Sequence, residues 1–102
     1  MNVLRIALGQ VNPTVGDLEG NARLIRQAAA QAAAGQADLL IFPEMVLTGY
    51  PVEDLSLRPS FQQASRLAMS ALARDIAGDG FGDLTCLIGY LDHSDDDDHA
   101  DT

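Results

Sequence analysis

One carboxylate in this sequence stands where enzymes often keep a catalytic acid or base. The apolar run LLIF at residues 39–42 predicts a strand buried on both faces, and Pro43 ends its ladder because proline has no N–H to donate. Glu44 follows at the carboxyl end of that strand, beside a loop predicted to be open. Apolar neighbours can raise the pKa of such a carboxyl group by desolvation, which suits a general base. The residues alone leave a second interpretation open, that Glu44 only caps or braces the loop.

The single cysteine is a weaker candidate for chemistry. Cys86 lies inside the apolar run of a predicted third strand, where burial would raise the pKa of the thiol and make it inert. We therefore predict a packing role for Cys86. One cysteine allows no internal disulfide and fits a reducing compartment. The chain also lacks a signal-peptide pattern and any apolar run near the ~20 residues of a membrane span, so we expect a cytoplasmic protein.

A third candidate is the acidic end of the sequence. His93 and His99 flank four consecutive aspartates, so a weak divalent-ion site is conceivable there. The segment has no hydrophobic periodicity, and its like charges repel one another. We interpret residues 92–102 as an acidic, disordered tail or loop with nothing to fix ligand geometry.

Charge argues against several kinds of partner. The formal net charge is −9, with 15 acidic residues against six arginines, and the chain contains no lysine. Nucleic acids and anionic membranes both need a basic patch, so we expect neither as a partner. A length of 102 residues allows one small domain with a core.

The elements that would position Glu44 alternate in type along the chain. Hydrophobic patterning predicts strands near residues 3–11, 38–43 and 84–90, and helices near 18–34 and 60–77. This order is typical of an α/β fold with a mainly parallel sheet, right-handed crossovers and both helices on one face.

Several local signals refine these elements. Asp17 is predicted to cap the first helix and Gly35 to close it. Ser60 has capping-box spacing to Gln63 at the start of the second helix. Gly89 is predicted to mark a bulge or a close backbone approach. The predicted apolar stripe of the second helix comprises Phe61, Ala64, Leu67, Ala68, Ala71, Leu72 and Ile76.

Three sequence blocks together resemble one family. They are LGQVNPTVGDLEGN at residues 8–21, LLIFPEMVLTGYPVEDL at 39–55 and LRPSF at 57–61. They are similar to the amino-terminal glutaminase domain of glutamine-dependent NAD+ synthetases, within the nitrilase, or carbon–nitrogen hydrolase, superfamily. The resemblance covers residues 2–90 and implies a partial α-β-β-α sandwich, with a partial glutaminase domain at residues 1–91.

The resemblance also implies a mechanism and its limits here. Superfamily members use a glutamate base, a lysine that stabilises the tetrahedral intermediate and a cysteine nucleophile, and the P-E motif assigns Glu44 as the base. The lysine is absent, and Cys86 does not match the nucleophile position. In the family, the ammonia released from glutamine passes to a separate synthetase domain, which binds ATP and Mg²⁺ and amidates deamido-NAD+. We find no counterpart of that domain in this sequence.

We therefore expect a fragment of such an enzyme, inactive alone, whose complete form is a homo-oligomer acting on glutamine and deamido-NAD+. The alternatives are a non-catalytic acidic interaction module, or a fragment of another nitrilase-superfamily amidase. Because the family covers the sheet with a second sheet, we also expect the isolated chain to be molten, oligomeric or partner-dependent.

Overall fold

The computed structural model describes residues 3–50, 53–81 and 83–90. Its elements are β1 (Ile6–Leu8), α1 (Leu18–Ala34), β2 (Leu39–Ile41), a 3₁₀ helix (Glu53–Leu57), α2 (Pro59–Gly78) and β3 (Thr85–Leu87). This order is the predicted one, although the strands are shorter and a 3₁₀ helix occupies most of the connection before α2. The predicted acidic tail, with His93 and His99, lies outside the described residues, and the domain bound at residue 91 stays a prediction.

The three strands form one parallel sheet in the order β1-β2-β3. Leu40 at the centre of β2 lies opposite Ala7 of β1 and Cys86 of β3. The predicted parallel pairing is confirmed, and the strand order moves in one direction across the sheet.

Both helices cover the face of the sheet that carries Ala7, Leu40 and Cys86. Leu40 is 1% exposed and packs in one core with side chains of both helices. The buried helical members of that core are Ile25, Ala29, Ala32, Leu72 and Ile76. The small alanine side chains of α1 let this helix approach the sheet closely. Because both helices share one core with Leu40, the predicted placement of both helices on one face is confirmed.

The opposite face of the sheet is uncovered within the described residues. We call it the open face; it consists of Ile6, Leu8, Leu39, Ile41, Thr85 and Leu87. Leu8 is 68% exposed, and Ile6 and Leu87 are each 52% exposed. The prediction that the first two strands are largely buried is therefore wrong for this face. The sequence pattern shows that a face is apolar but not what covers it.

Helix α1 has the predicted bounds and the predicted amino-terminal cap. Asp17 Oδ1 accepts a hydrogen bond of 3.0 Å from the amide of Gly20. The carboxyl end differs, because Gly35 has an ordinary φ of −83° and Gln36 adopts the left-handed region at φ 62°. The amide of Gly35 still bonds to Gln31 O in the helical manner, so the chain reverses one residue later than predicted.

Helix α2 begins differently from the prediction. It starts at Pro59, whose ring fixes φ and whose missing N–H costs nothing in a first turn, and Arg58 provides no side-chain cap. The capping box at Ser60 is therefore wrong. The stripe is also rotated: Leu72 and Ile76 are buried as predicted, but Ser65 is buried while Leu67 is 59% exposed.

An arginine joins the two helices at their outer surface. Arg26 of α1 donates from Nε and Nη2 to the two carboxylate oxygens of Asp79, at 2.9 and 2.7 Å. Asp75 lies 3.8 Å from the same guanidinium. The hydrogen bonds from Arg26 lower the pKa of Asp79, and they raise the pKa of Arg26 further above its usual range. This bidentate contact holds the end of α2 against the middle of α1.

Candidate functional site

Glu44 lies just beyond the carboxyl end of the central strand. The ladder continues past β2 on both sides, since Gly9 donates to Ile41 O at 2.8 Å and Phe42 donates to Leu87 O at 3.1 Å. Pro43 then offers no N–H, and a turn begins. We call residues 44–48 the Glu44 turn. The predicted position of Glu44 at a strand end is therefore observed.

The Glu44 turn is compact and its backbone is strained at one residue. Met45 has φ 62°, in the left-handed region that non-glycine residues rarely occupy. The amide of Gly49 donates to Met45 O at 2.8 Å and closes the turn. Val46, Leu47 and Thr48 are at most 1% exposed. The loop predicted to be open is thus buried, because its apolar side chains complete the end of the core.

Three neighbouring segments hold this turn from different sides. The amide of Gly16 donates to Thr48 O at 2.8 Å, and the amide of Leu47 donates to Gly89 O at 3.2 Å. The side-chain amide of Asn21, in the first turns of α1, donates to Leu47 O at 2.8 Å. The backbone that carries Glu44 is consequently bonded to α1, to the loop that precedes α1 and to the segment after β3.

Asn21 was missed by the sequence reasoning. It is 1% exposed, and it also accepts from Thr14 N and donates to Thr14 O, both at 2.8 Å. The signal was its spacing, since Asn21 precedes Ile25 and Ala29 by steps of four on the buried face of α1. A polar residue on such a face must find partners, and here the partners belong to two loops.

Two glycines allow the segments to approach the turn. A β-carbon on Gly89 would lie 2.7 Å from Met45 N, which confirms the predicted close approach. A β-carbon on Gly49 would lie 2.6 Å from Val15 Cα, and Gly49 also has φ 81°. Both positions exclude other residues without backbone movement.

The side chain of Glu44 itself is not part of this packing. It is exposed, and within the described part of the chain it forms no hydrogen bond or ion pair. The apolar surroundings that the sequence reasoning required are therefore not provided by these residues. What remains is a free carboxylate on a fixed backbone, which can accept a proton from a group brought beside it.

Cys86 is not assembled with Glu44 into a reactive pair. It lies mid-strand, opposite Leu40, on the face that the helices cover. Burial raises the pKa of its thiol, so the protonated, unreactive form is favoured. Cys86 is partly buried and packs against the hydrophobic core, which confirms the packing role predicted for it.

The described residues contain no cluster of side chains with metal-ligand chemistry. Across residues 3–50, 53–81 and 83–90, no three His, Cys, Asp or Glu side chains lie close enough to hold a metal ion. None of the helices described is long and apolar enough to cross a membrane.

The comparisons with known proteins agree on one family. Residues 5–90 match the carbon–nitrogen hydrolase family. A glutamine-dependent NAD(+) synthetase from Thermotoga maritima is 42% identical over 96 residues, which is 94% of this chain and 16% of that protein. The chain therefore spans about a sixth of the length of this relative.

Solved structures agree with the sequence matches. A glutamine-dependent NAD+ synthetase from Acinetobacter baumannii superposes with a TM-score of 0.77 at 31% identity, over 94% of this chain and 17% of that one. An amidase from Nesterenkonia sp. superposes with a TM-score of 0.59 at 33% identity, over 72% of this chain and 28% of the amidase.

Proposed function

Because the chain belongs to the carbon–nitrogen hydrolase family, we propose that it forms the first part of a glutamine-hydrolysing unit in which Glu44 is the general base. In this proposal the released ammonia serves the ATP-dependent amidation of deamido-NAD+ by an NAD+ synthetase. The observation that carries the proposal is the free carboxylate of Glu44 on a buried, hydrogen-bonded turn at the end of the central strand.

The role of Glu44 follows from the chemistry of amide cleavage. A thiol with a pKa near 8.5 is mostly protonated at neutral pH, and a carboxylate beside it can take its proton. The thiolate sulfur then forms a bond to the amide carbonyl carbon, and the C=O electron pair moves to the oxygen. The carboxyl group of Glu44 returns its proton to the nitrogen as the C–N bond breaks, and ammonia leaves. Water finally cleaves the thioester. A fixed backbone keeps the base at the correct distance through these steps.

The chain does not supply the other two groups. It contains no lysine to stabilise the oxyanion. The Cys86 thiol lies on the face of the sheet that the helices cover, and burial raises its pKa, which favours the protonated form. In the proposal the nucleophile and the cation therefore come from residues outside this sequence. We derive no step through ATP or Mg²⁺, which in this proposal belong to the synthetase part of the enzyme.

Extent of similarity favours a synthetase over a free-standing amidase. The synthetase structure covers 94% of this chain, whereas the amidase structure covers 72% and superposes less well. A non-catalytic interaction module is the alternative from a different class, and one observation favours it. The open face exposes Ile6, Leu8 and Leu87, which could contact a partner.

A hybrid enzyme tests the proposal directly. Residues 2–90 replace the segment that they match in the Thermotoga maritima relative, and NAD+ formation is measured with glutamine or with free ammonia. Synthesis with glutamine that disappears on Glu44→Gln, while synthesis with ammonia continues, supports the proposal. A hybrid that uses ammonia but never glutamine would favour the interaction module.

A further inference from the structure

The side chain of Asn21 bonds both to the Glu44 turn and to the loop at Thr14. Its side chain uses Oδ1 to accept from Thr14 N, and it uses both Nδ2 hydrogens to donate to Thr14 O and Leu47 O. All three distances are 2.8 Å, and the residue is 1% exposed. An amide has few bonds left to make after these, so the orientation of the side chain is fixed.

The bonds of Asn21 join two loops that are distant in sequence. Thr14 belongs to the loop between β1 and α1, and Leu47 belongs to the Glu44 turn, three residues after the proposed base. The same two loops meet at a second point, where Gly16 donates to Thr48 O at 2.8 Å. Asn21 and Gly16 together therefore connect the loop and the turn on both sides of Val15.

The position of Met45 makes this connection significant for Glu44. A non-glycine residue at φ 62° is unfavourable and persists only where neighbouring contacts determine the backbone. Met45 directly follows Glu44, so a relaxation of its φ would change the direction of the Glu44 side chain. Leu47 O is the carbonyl of the turn to which Asn21 is bonded, two residues after Met45.

We propose that Asn21 is a positioning residue, which sets the direction of the Glu44 carboxylate by bonding the Glu44 turn to the loop at Thr14. This inference rests on the proposed function, since it gives Asn21 a part in the reaction through Glu44. It assigns Asn21 no contact with substrate.

The hybrid enzyme provides the kinetic test. For Asn21→Ala we expect kcat for glutamine hydrolysis to fall by about 10²-fold, as displacement of a catalytic group by about 1 Å does, with KM and ammonia-dependent synthesis unchanged. Asn21→Asp should behave in the same way, because it keeps the acceptor for Thr14 N–H but places oxygen against Leu47 O. Gln27→Ala removes an exposed amide from the same helix and should leave all rates unchanged.

A second measurement uses the same hybrid enzyme and needs no activity. Amide hydrogen exchange should become faster at Gly16 and Leu47 in Asn21→Ala, although neither amide bonds to Asn21. The amides of the α1 core, such as Ala29, should keep their rates. Faster exchange everywhere would mean that Asn21 only stabilises the fold, and it would overturn the inference.

The outcomes separate this inference from the function on which it rests. If Glu44→Gln abolishes glutamine hydrolysis but Asn21→Ala or Asn21→Asp retains native kcat, the positioning role is wrong and the proposed function stands. If glutamine- and ammonia-dependent rates fall together in Asn21→Ala, the role is structural and the inference is wrong. If Glu44→Gln retains hydrolysis, the proposed function fails, and the Asn21 positioning role fails with it.

Discussion

The backbone of Gly49 lies against the backbone of Val15, so closely that a β-carbon on Gly49 would be 2.6 Å from Val15 Cα. This contact brings the residue that follows the Glu44 turn against the loop before α1. Gly49 also adopts φ 81°, so two independent constraints require glycine there. The site of Glu44 is thus built by backbone packing as well as by hydrogen bonds.

Substitution of Gly49 should therefore be costly. Gly49→Ala places a side chain in the left-handed region and against Val15, so we expect a loss of about 2 kcal/mol or more in the free energy of unfolding. Urea unfolding followed by circular dichroism measures this. Gly78→Ala is the matched control, because a β-carbon there meets no atom within 4 Å and alanine favours helix. Equal stability of the two variants would contradict the packing described.

The ion pair between Arg26 and Asp79 should make stability depend on acid pH. The pKa of Asp79 is lowered in the folded state, chiefly by the hydrogen bonds from Arg26. Its contribution is therefore present above the unfolded value of about 3.9 and is lost as pH falls through the lowered folded value.

Asp79→Asn should reduce stability at pH 7 and low salt, and the difference from the native chain should shrink at acid pH. Asp75→Asn, at a contact of 3.8 Å, should have the smaller effect. Thermal unfolding across pH and salt measures both variants. A difference that persists unchanged below the folded pKa, or in 1 M salt, would contradict an electrostatic origin.

Local signals in the sequence predicted most of the fold. The hydrophobic periodicity predicted the bounds of α1, and Asp17 was predicted as its cap. The β-α-β-α-β order predicted the parallel sheet. The strand-end position of Glu44 and the close approach at Gly89 also follow from local residue types. These features depend on contacts within a few residues or on the general rules of crossover connections.

The features that were not predicted depend on contacts between distant segments. The burial of Ser65 instead of Leu67 depends on how α2 rotates against α1 and the sheet. The left-handed φ of Met45 is imposed by the bonds that surround the Glu44 turn. The exposure of Leu8 reflects the absence of a covering layer in the described residues, and an apolar alternation cannot reveal that absence.

The open face should make the isolated chain associate. Each leucine-sized side chain covered in a contact contributes about 2 kcal/mol. We expect sedimentation velocity to show assemblies that grow with concentration, and Ile6→Thr with Leu8→Thr should shift them toward monomer. Leu67→Gln, at a similarly exposed position on α2, should not. A native chain that stays monomeric at all concentrations would contradict this expectation.

The 102-residue chain alone should not hydrolyse glutamine. No lysine is present, and the Cys86 thiol is held protonated by burial on the helix-covered face. Ammonia release from glutamine, measured against a buffer blank, should therefore be undetectable. Release above the blank that is abolished by Glu44→Ala would show that a complete site exists within these residues.

Glu44→Gln in the hybrid enzyme is the most direct test of the central claim, that Glu44 is a general base. We expect glutamine-dependent NAD+ synthesis to fall by about 10²- to 10⁴-fold, the usual contribution of a general base, while ammonia-dependent synthesis is retained. Glu19→Gln, at an exposed glutamate in the first turn of α1, should change neither rate. Glutamine-dependent synthesis that survives Glu44→Gln, or an equal loss of both rates, would contradict the account.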